Sequence, residues 1–345
     1  MSERFDLSRF RIGLIGGSGY IGSALANYLS EAFMVKVLDK SPLPRDLEGK
    51  VKYQNCDILN YKEVEQALAG LDLVIHTAVV QIPLITHRRK LGYEVNVLGT
   101  QNVSEAVNNV SSTRGMILAS SWHVFGEREL DGVLDEEFGF RPDKVEERAR
   151  LYALSKIAQE VVVRYYDEMS EKIYGLIRMA TVLGNGMPEK TAAKIFISRG
   201  LRGESITPFK HSMYRPMLYV DISDVCRAFR IYATKILSGE IRKEENSLAH
   251  IVNLCWPKPV TIIELAHTVR DAITKLTEGK IEPQIEIVDK RQPILFEAAD
   301  KQKLRVNIGK VQRLLGMKRL KDPRSSIERI VKKALQEDIS HVCYQ

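Results

Sequence analysis

The feature that most constrains this chain is the glycine turn Gly16-Gly17-Ser18-Gly19-Tyr20-Ile21-Gly22, set between an apolar run and a helix-period stretch. Arg11 to Ile15 reads as a strand, and Ile21, Leu25, Tyr28 and Leu29 fall on one helical face. Glycine at such a turn lets backbone N–H groups approach a pyrophosphate, and the helix N-terminus adds a partial positive charge. Asp39 ends a second strand, Met34 to Leu38, and stands 23 residues after Gly16. A carboxylate there can bond a ribose 2′-OH and would repel a 2′-phosphate, which favours NAD over NADP. Lys40 and Arg45 lie close by and temper that preference.

The rhythm continues. Val51, Tyr53 and Cys56 mark a third strand, and Asn60 with Glu63 opens a helix that Gly70 closes. Leu73 to Ala78 is a buried strand, followed by a helix containing Val97, Val103, Ala106 and Val107. Met116 to Ala119, the helix Tyr152 to Met169 and the strand Tyr174 to Arg178 complete the series. Strands alternating with helices predict an α/β fold, a Rossmann-type doubly wound parallel sheet. After Arg178 the pattern loosens. Asp221 to Leu237 reads as a helix, Ile251 to Leu254 as a strand, Thr261 with Glu264 as a capping box, and Lys310 to Gln336 as a basic helix. A chain of 345 residues exceeds what one core usually serves. We therefore expect a sheet domain from 1–178 and 220–255, and a smaller α/β C-terminal substrate lobe from 179–219 and 256–345.

Composition excludes several classes. The chain is 44% hydrophobic and 28% charged, as an ordinary globular protein is. It has no apolar run of membrane-spanning length, and Met1 to Phe10 lack the apolar stretch of a secretory signal. Cys56, Cys226, Cys255 and Cys343 stand too far apart for zinc or redox spacing, so no metal is expected and a reducing cytoplasm is. The net charge of +7 carries no basic stripe interleaved with aromatics, which points to a phosphorylated small molecule and away from nucleic acid.

Tyr152-Ala153-Leu154-Ser155-Lys156 puts Tyr152 and Lys156 on one helical face. A free tyrosine has a pKa of about 10. A neighbouring ammonium, with a positive nicotinamide ring, favours the phenolate, and Tyr152 can then take a proton from a hydroxyl whose carbon gives up hydride. Ser121, in Ala119-Ser120-Ser121-Trp122-His123-Val124-Phe125-Gly126, can bond the reacting oxygen; Ser120 is the weaker candidate.

The spacing Gly16, Gly19, Gly22 resembles the extended short-chain dehydrogenase/reductase family, in particular its nucleotide-sugar epimerases and dehydratases. Asp57-Ile58 is similar to that family's adenine contact, and His76-Thr77-Ala78-Val79 to its His-x-Ala-Ala strand end. Tyr93 to Thr100 resembles its Asn-containing helix start, with Asn96 as the asparagine. Tyr152 and Lys156 match its catalytic pair and Ser121 its catalytic serine or threonine, with Phe125 in place of a tyrosine. The resemblance implies cofactor contacts by Gly16, Gly19, Tyr20, Ile21, Gly22, Asp39, Asp57, Ile58, Ala78, Asn96 and Lys156. On the substrate side it implies Ser121, His123, Thr181, Arg215 and Arg291. Thr181 replaces the usual asparagine of Arg-x-x-Asn-Val-x-Gly, and the Gly-Asp-Gly before the arginine is missing. Trp122 and His123 stand where dehydratases carry acids, and a histidine there resembles uronate dehydrogenases. His123 can shuttle a proton, or pack and hydrogen-bond substrate.

The resemblance favours an NAD-dependent nucleotide-sugar epimerase, by transient oxidation to a keto-sugar and hydride return. A net sugar or uronate dehydrogenase, or a ketoreductase, is the alternative, and a dinucleotide-sensing protein a third reading. It also implies a homodimer packed through the Tyr152 helix, where Val161, Val162, Tyr165 and Tyr166 could supply apolar surface.

Overall fold

Strands cannot satisfy their backbone alone and pair side by side, and here seven form one parallel sheet. In chain order they are β1 (Arg11–Ile15), β2 (Met34–Asp39), β3 (Lys52–Asn55), β4 (Leu73–His76), β5 (Gly115–Ser121), β6 (Ile173–Met179) and β7 (Ile251–Leu254). Their order across the sheet is β7-β6-β5-β4-β1-β2-β3. The order reverses between β1 and β4, the crevice where ligands of such sheets bind. This computed structural model describes residues 6–342, so Met1–Phe5 and the Cys343–Gln345 end, with the fourth cysteine, lie outside the described residues.

The principal helices are α1 (Tyr20–Leu29), α2 (Tyr61–Leu68), α3 (Thr100–Asn109), α4 (Glu147–Met169), α5 (Ala192–Leu201), α6 (Ile222–Ser238), α7 (Ile262–Leu276), α8 (Gly309–Leu315) and α9 (Pro323–Val342). Leu25 and Leu29 of α1 and Phe229 and Tyr232 of α6 pack with Leu14 and Val252 on one face of the sheet. Val64 and Leu68 of α2, Val103 and Val107 of α3 and Val163 of α4 pack with Ile15 and Leu176 on the other. A third core joins Phe196 and Ile197 of α5, Leu265 and Ile273 of α7, and Ile327 and Ile330 of α9. Leu304, Val311 and Leu315, from the span expected to build the second lobe, pack instead in the first of these cores. Leu304–Val306 there pairs in parallel with Gly132–Leu134.

Local rules set the element ends. Asn60 Oδ1 accepts the Glu63 N–H at 3.5 Å and starts α2. Thr261 and Glu264 cap each other's backbone at the start of α7. Two expectations need correction. The third strand is only Lys52–Asn55, at the sheet edge, and Val51 and Cys56 flank it. The basic helix expected over Lys310 to Gln336 is two helices. Gly316 turns left-handed at φ 66° and ends α8, and Pro323 begins α9. No helix among the described residues is long and apolar enough to cross a membrane. Among them Cys56, Cys226 and Cys255 are free, buried thiols, and no cluster could hold a metal ion.

Candidate active site

The glycine turn lies where β1 delivers the chain to α1. Gly16 has φ 77°, and a Cβ there would stand 2.4 Å from Ala78 N. A Cβ on Gly22 would stand 2.1 Å from Gly16 O. Only hydrogen fits at either position. Gly19 is different, since its Cβ would meet only Gly16 O, at 3.4 Å, so the space before it is open. No side chain caps α1, which leaves the N–H groups of its first turn facing outward. Asp39 is held at the tip of β2 by the Ser18 N–H at 3.0 Å and the Ser41 N–H at 2.8 Å. Lys40 is paired with Asp57 at 2.7 Å.

These groups border a cleft of about 620 Å³. Gly16, Gly19, Tyr20, Ile21, Gly22, Asp39, Asp57, Ile58 and Ala78 line it, and Tyr152 and Lys156 lie along the same wall. Bare backbone at a helix N-terminus, a carboxylate at the neighbouring strand tip and an apolar pocket beside it fit a dinucleotide. Asn96 does not line the cleft. It is fully buried, donates to Ser155 Oγ at 2.9 Å and Val80 O at 3.1 Å, and accepts the Val80 N–H at 2.7 Å. It braces the chain after β4 against α4.

The chemical end is built by the tip of β5 against one face of α4. Lys156 Nζ donates to the Ala119 carbonyl at 2.8 Å. Ser120 Oγ donates to Glu160 Oε1 at 2.5 Å. The next residue, Ser121, faces Tyr152. Three successive residues of the strand thus meet Tyr152, Lys156 and Glu160, which recur every fourth position of the helix. Glu160 is clamped by Arg178, whose Nε and Nη2 reach its carboxylate at 2.8–3.1 Å. Sequence reasoning did not find Glu160, although its spacing from Lys156 was the available signal.

Burial pushes the Tyr152 phenol up to about 12. Burial also pulls Lys156 down to about 7, with Glu160 opposing. The expected lowering of the phenol by Lys156 is therefore not a property of the protein's own groups. Both side chains are desolvated, which disfavours both charges, and the ammonium is turned to Ala119 with its nitrogen 6.0 Å from the phenol ring centre.

Of the substrate-side residues, Ser121, His123 and Arg215 gather and the others do not. Ser121 Oγ lies 3.0 Å from His123 Nδ1, and the His123 ring stands edge-on to Tyr152 with centres 5.5 Å apart. Arg215 is buried and ion-paired with Glu146. Arg291 lies in an exposed stretch with φ 55°, its backbone N–H bonded to Asp289, so the two arginines do not share a lining of the cleft. Thr181 is half-buried in a short strand, Thr181–Leu183, paired with Tyr219–Asp221. Glu127, Glu146 and Arg148, which surround His123 and Arg215, had no recognisable motif in the sequence.

The sequence profile of the NAD dependent epimerase/dehydratase family matches residues 12–247. A 3-beta-hydroxysteroid dehydrogenase of Mycolicibacterium neoaurum is 31% identical over 133 residues, 37% of this chain and 36% of that protein. A UDP-glucose 4-epimerase of Mycoplasma genitalium is 24% identical over 191 residues, 52% of this chain and 55% of that protein. Each match covers less than two thirds of the relative's own length. The solved structure of MoeE5 with UDP-glucuronic acid and NAD superposes with a TM-score of 0.73 at 20% identity, over 95% of this chain and 99% of that one, which shows a common fold.

Proposed function

The chain belongs to the NAD dependent epimerase/dehydratase family, and on that premise we propose that it is a nucleotide-sugar epimerase, oxidising a sugar carbinol and returning hydrogen to the opposite face of the same carbon. One observation carries the reading. A single cleft runs from the Gly16–Gly22 turn to Tyr152 and Lys156, so a dinucleotide lying in it would end at a proton-transfer pair. Bound NAD supplies the acceptor and donor of hydride.

The chain's own residues divide the remaining work. The α1 N-terminus would hold the pyrophosphate, Asp39 the adenosine ribose, and Asp57 and Ile58 the adenine. Lys156 would bond the second ribose, and Asn96 would shape the wall through Val80. Tyr152 would take the carbinol proton, with Ser121 fixing the oxygen beside it. Incubation with UDP- and GDP-hexoses followed by chromatography tests this: a new epimer is expected, and none from either series overturns the reading. Denaturing the purified protein should release bound NAD.

A second reading, a net sugar or uronate dehydrogenase or ketoreductase, is favoured by one observation. Arg215 is already paired with Glu146, and Arg291 does not line the cleft. A diphosphate would have to displace Glu146 to use Arg215. This reading expects NADH to accumulate in proportion to a uronate or free sugar consumed. We further propose a homodimer formed through α4, and a reducing, cytoplasmic setting suited to the buried free thiols.

A further inference from the structure

Next to Ser121 stands a short run of polar groups that the tyrosine–lysine pair does not use. Ser121 Oγ lies 3.0 Å from His123 Nδ1. The other ring nitrogen, Nε2, lies 3.7 Å from Glu127 Oε1. Glu127 is fully buried. Its Oε1 accepts from Arg148 Nη2 at 2.7 Å, and its Oε2 from the Glu146 backbone N–H at 3.0 Å. Burial opposes its charge, but the Arg148 and Arg215 guanidiniums and the Glu146 backbone N–H help hold it below the ordinary carboxylate range. The groups facing His123 are therefore Glu127, Arg148, Arg215, Ser121 and the rings of Trp122 and Tyr152.

This arrangement decides where the hydrogens sit. An ionised carboxylate can only accept. Burial pushes His123 down to about 4, against the pull of Glu127, so the ring is neutral near pH 7 and carries one hydrogen. Facing Glu127, that hydrogen belongs on Nε2. Nδ1 is then a bare acceptor, and the Ser121 O–H donates to it. The His123 backbone N–H donates to Ser121 Oγ at 3.3 Å. What Ser121 offers Tyr152 is a lone pair.

We propose that Ser121 and His123, with the Glu127 carboxylate facing the ring, form a directed polar relay that draws the substrate's proton through Tyr152 into the protein, with Glu127 the positioning residue that sets its direction. Each hydrogen moves one place: from the substrate hydroxyl to Tyr152 Oη, from the phenol to Ser121 Oγ, and from the serine to His123 Nδ1. The substrate oxygen keeps the electron pair of its broken O–H bond, and the positive charge formed on His123 faces Glu127. Burial disfavours both a free phenolate at Tyr152 and a charged ring at His123, and the Glu127 carboxylate facing the ring partly offsets the second. The inference rests on reading Tyr152 as the proton acceptor, and it holds for any hydroxyl substrate.

The decisive experiment needs no substrate. In the full chain with isotope-labelled histidine, long-range hydrogen–nitrogen NMR near neutral pH reports each ring's tautomer, and His123→Asn identifies the His123 signal. A neutral ring with hydrogen on Nε2 is expected. Hydrogen on Nδ1, or a doubly protonated ring, overturns the proposal. Glu127→Gln should abolish the Nε2 preference, and an unchanged tautomer there also overturns it. Glu127→Asp keeps the charge and should keep the tautomer, which covers a Gln variant that fails to fold. With an identified substrate, Glu127→Gln should lower kcat about 10-fold or more with KM within about twofold, as loss of part of a proton-transfer contribution. Absence of epimer from every hexose would overturn the epimerase reading and leave the tautomer result standing.

Discussion

Tyr152 and Lys156 are both driven toward neutrality by the same burial, to about 12 and about 7. Replacing Tyr152 by Phe keeps the ring's packing and removes the proton acceptor. Turnover should fall by about 100-fold or more, with NAD affinity within about twofold by calorimetry; a smaller loss would mean another group takes the proton. Lys156 gives a pH prediction with a definite sign. Its ammonium is present below about pH 7 and is lost above it. NAD affinity should weaken as pH rises through that value, and Lys156→Met should be weaker and flat. The linkage to stability runs the other way. The folded pKa lies below the ordinary 10.5, so the unfolded chain binds more protons between about 7 and 10.5, and this group's penalty is relieved as pH rises through that window.

At the scale of elements, the glycine turn separates folding from binding. Gly22→Ala forces a Cβ to 2.1 Å from Gly16 O, and should cost about 1–3 kcal/mol of stability together with cofactor binding. Gly19→Ala meets nothing nearer than 3.4 Å, so it should melt with the parent yet bind NAD more weakly. Equal losses in both variants, by melting and calorimetry, would show that the turn does not face the ligand. The buried Arg178–Glu160 pair supports the α4 face from behind. Arg178→Met leaves Glu160 uncompensated and should cost about 3–5 kcal/mol in urea unfolding. Much of this layer is legible in the chain because it follows local rules: the Gly16–Gly22 turn, Asp39 at a strand end, the Asn60 and Thr261 caps, Tyr152 and Lys156 on one face. The break at Gly316 and Pro323 was also written locally, but the continuing run of basic residues hid it. What local rules do not carry is pairing between distant segments. Arg215 reads as a free guanidinium until Glu146 is seen beside it, and His123 as a lone histidine until Ser121 is seen at one ring nitrogen and Glu127 facing the other.

For the whole molecule, α4 faces two ways. Tyr152, Lys156 and Glu160 turn inward, while Val161, Tyr165 and Met169 are 53%, 65% and 54% exposed. Tyr166, expected beside them, is buried instead under the sheet with Val163. Sedimentation should find a dimer that Tyr165→Glu converts to monomer with its secondary structure kept, and a monomeric parent would refute the arrangement. The fully buried Asp221 ties the start of α6 to α9, accepting from Ser326 and Arg329, each at 2.7 Å. The strand–helix ladder has a mechanical consequence. One residue of helix is a rise of about 1.5 Å, far more than a hydrogen bond tolerates. A slip of α4 by that single step would carry Tyr152, Lys156 and Glu160 off their strand partners together. The helix is in effect a ruler whose zero is set on β5, and a load applied at its outer face would be read out at the site as displacement along one axis.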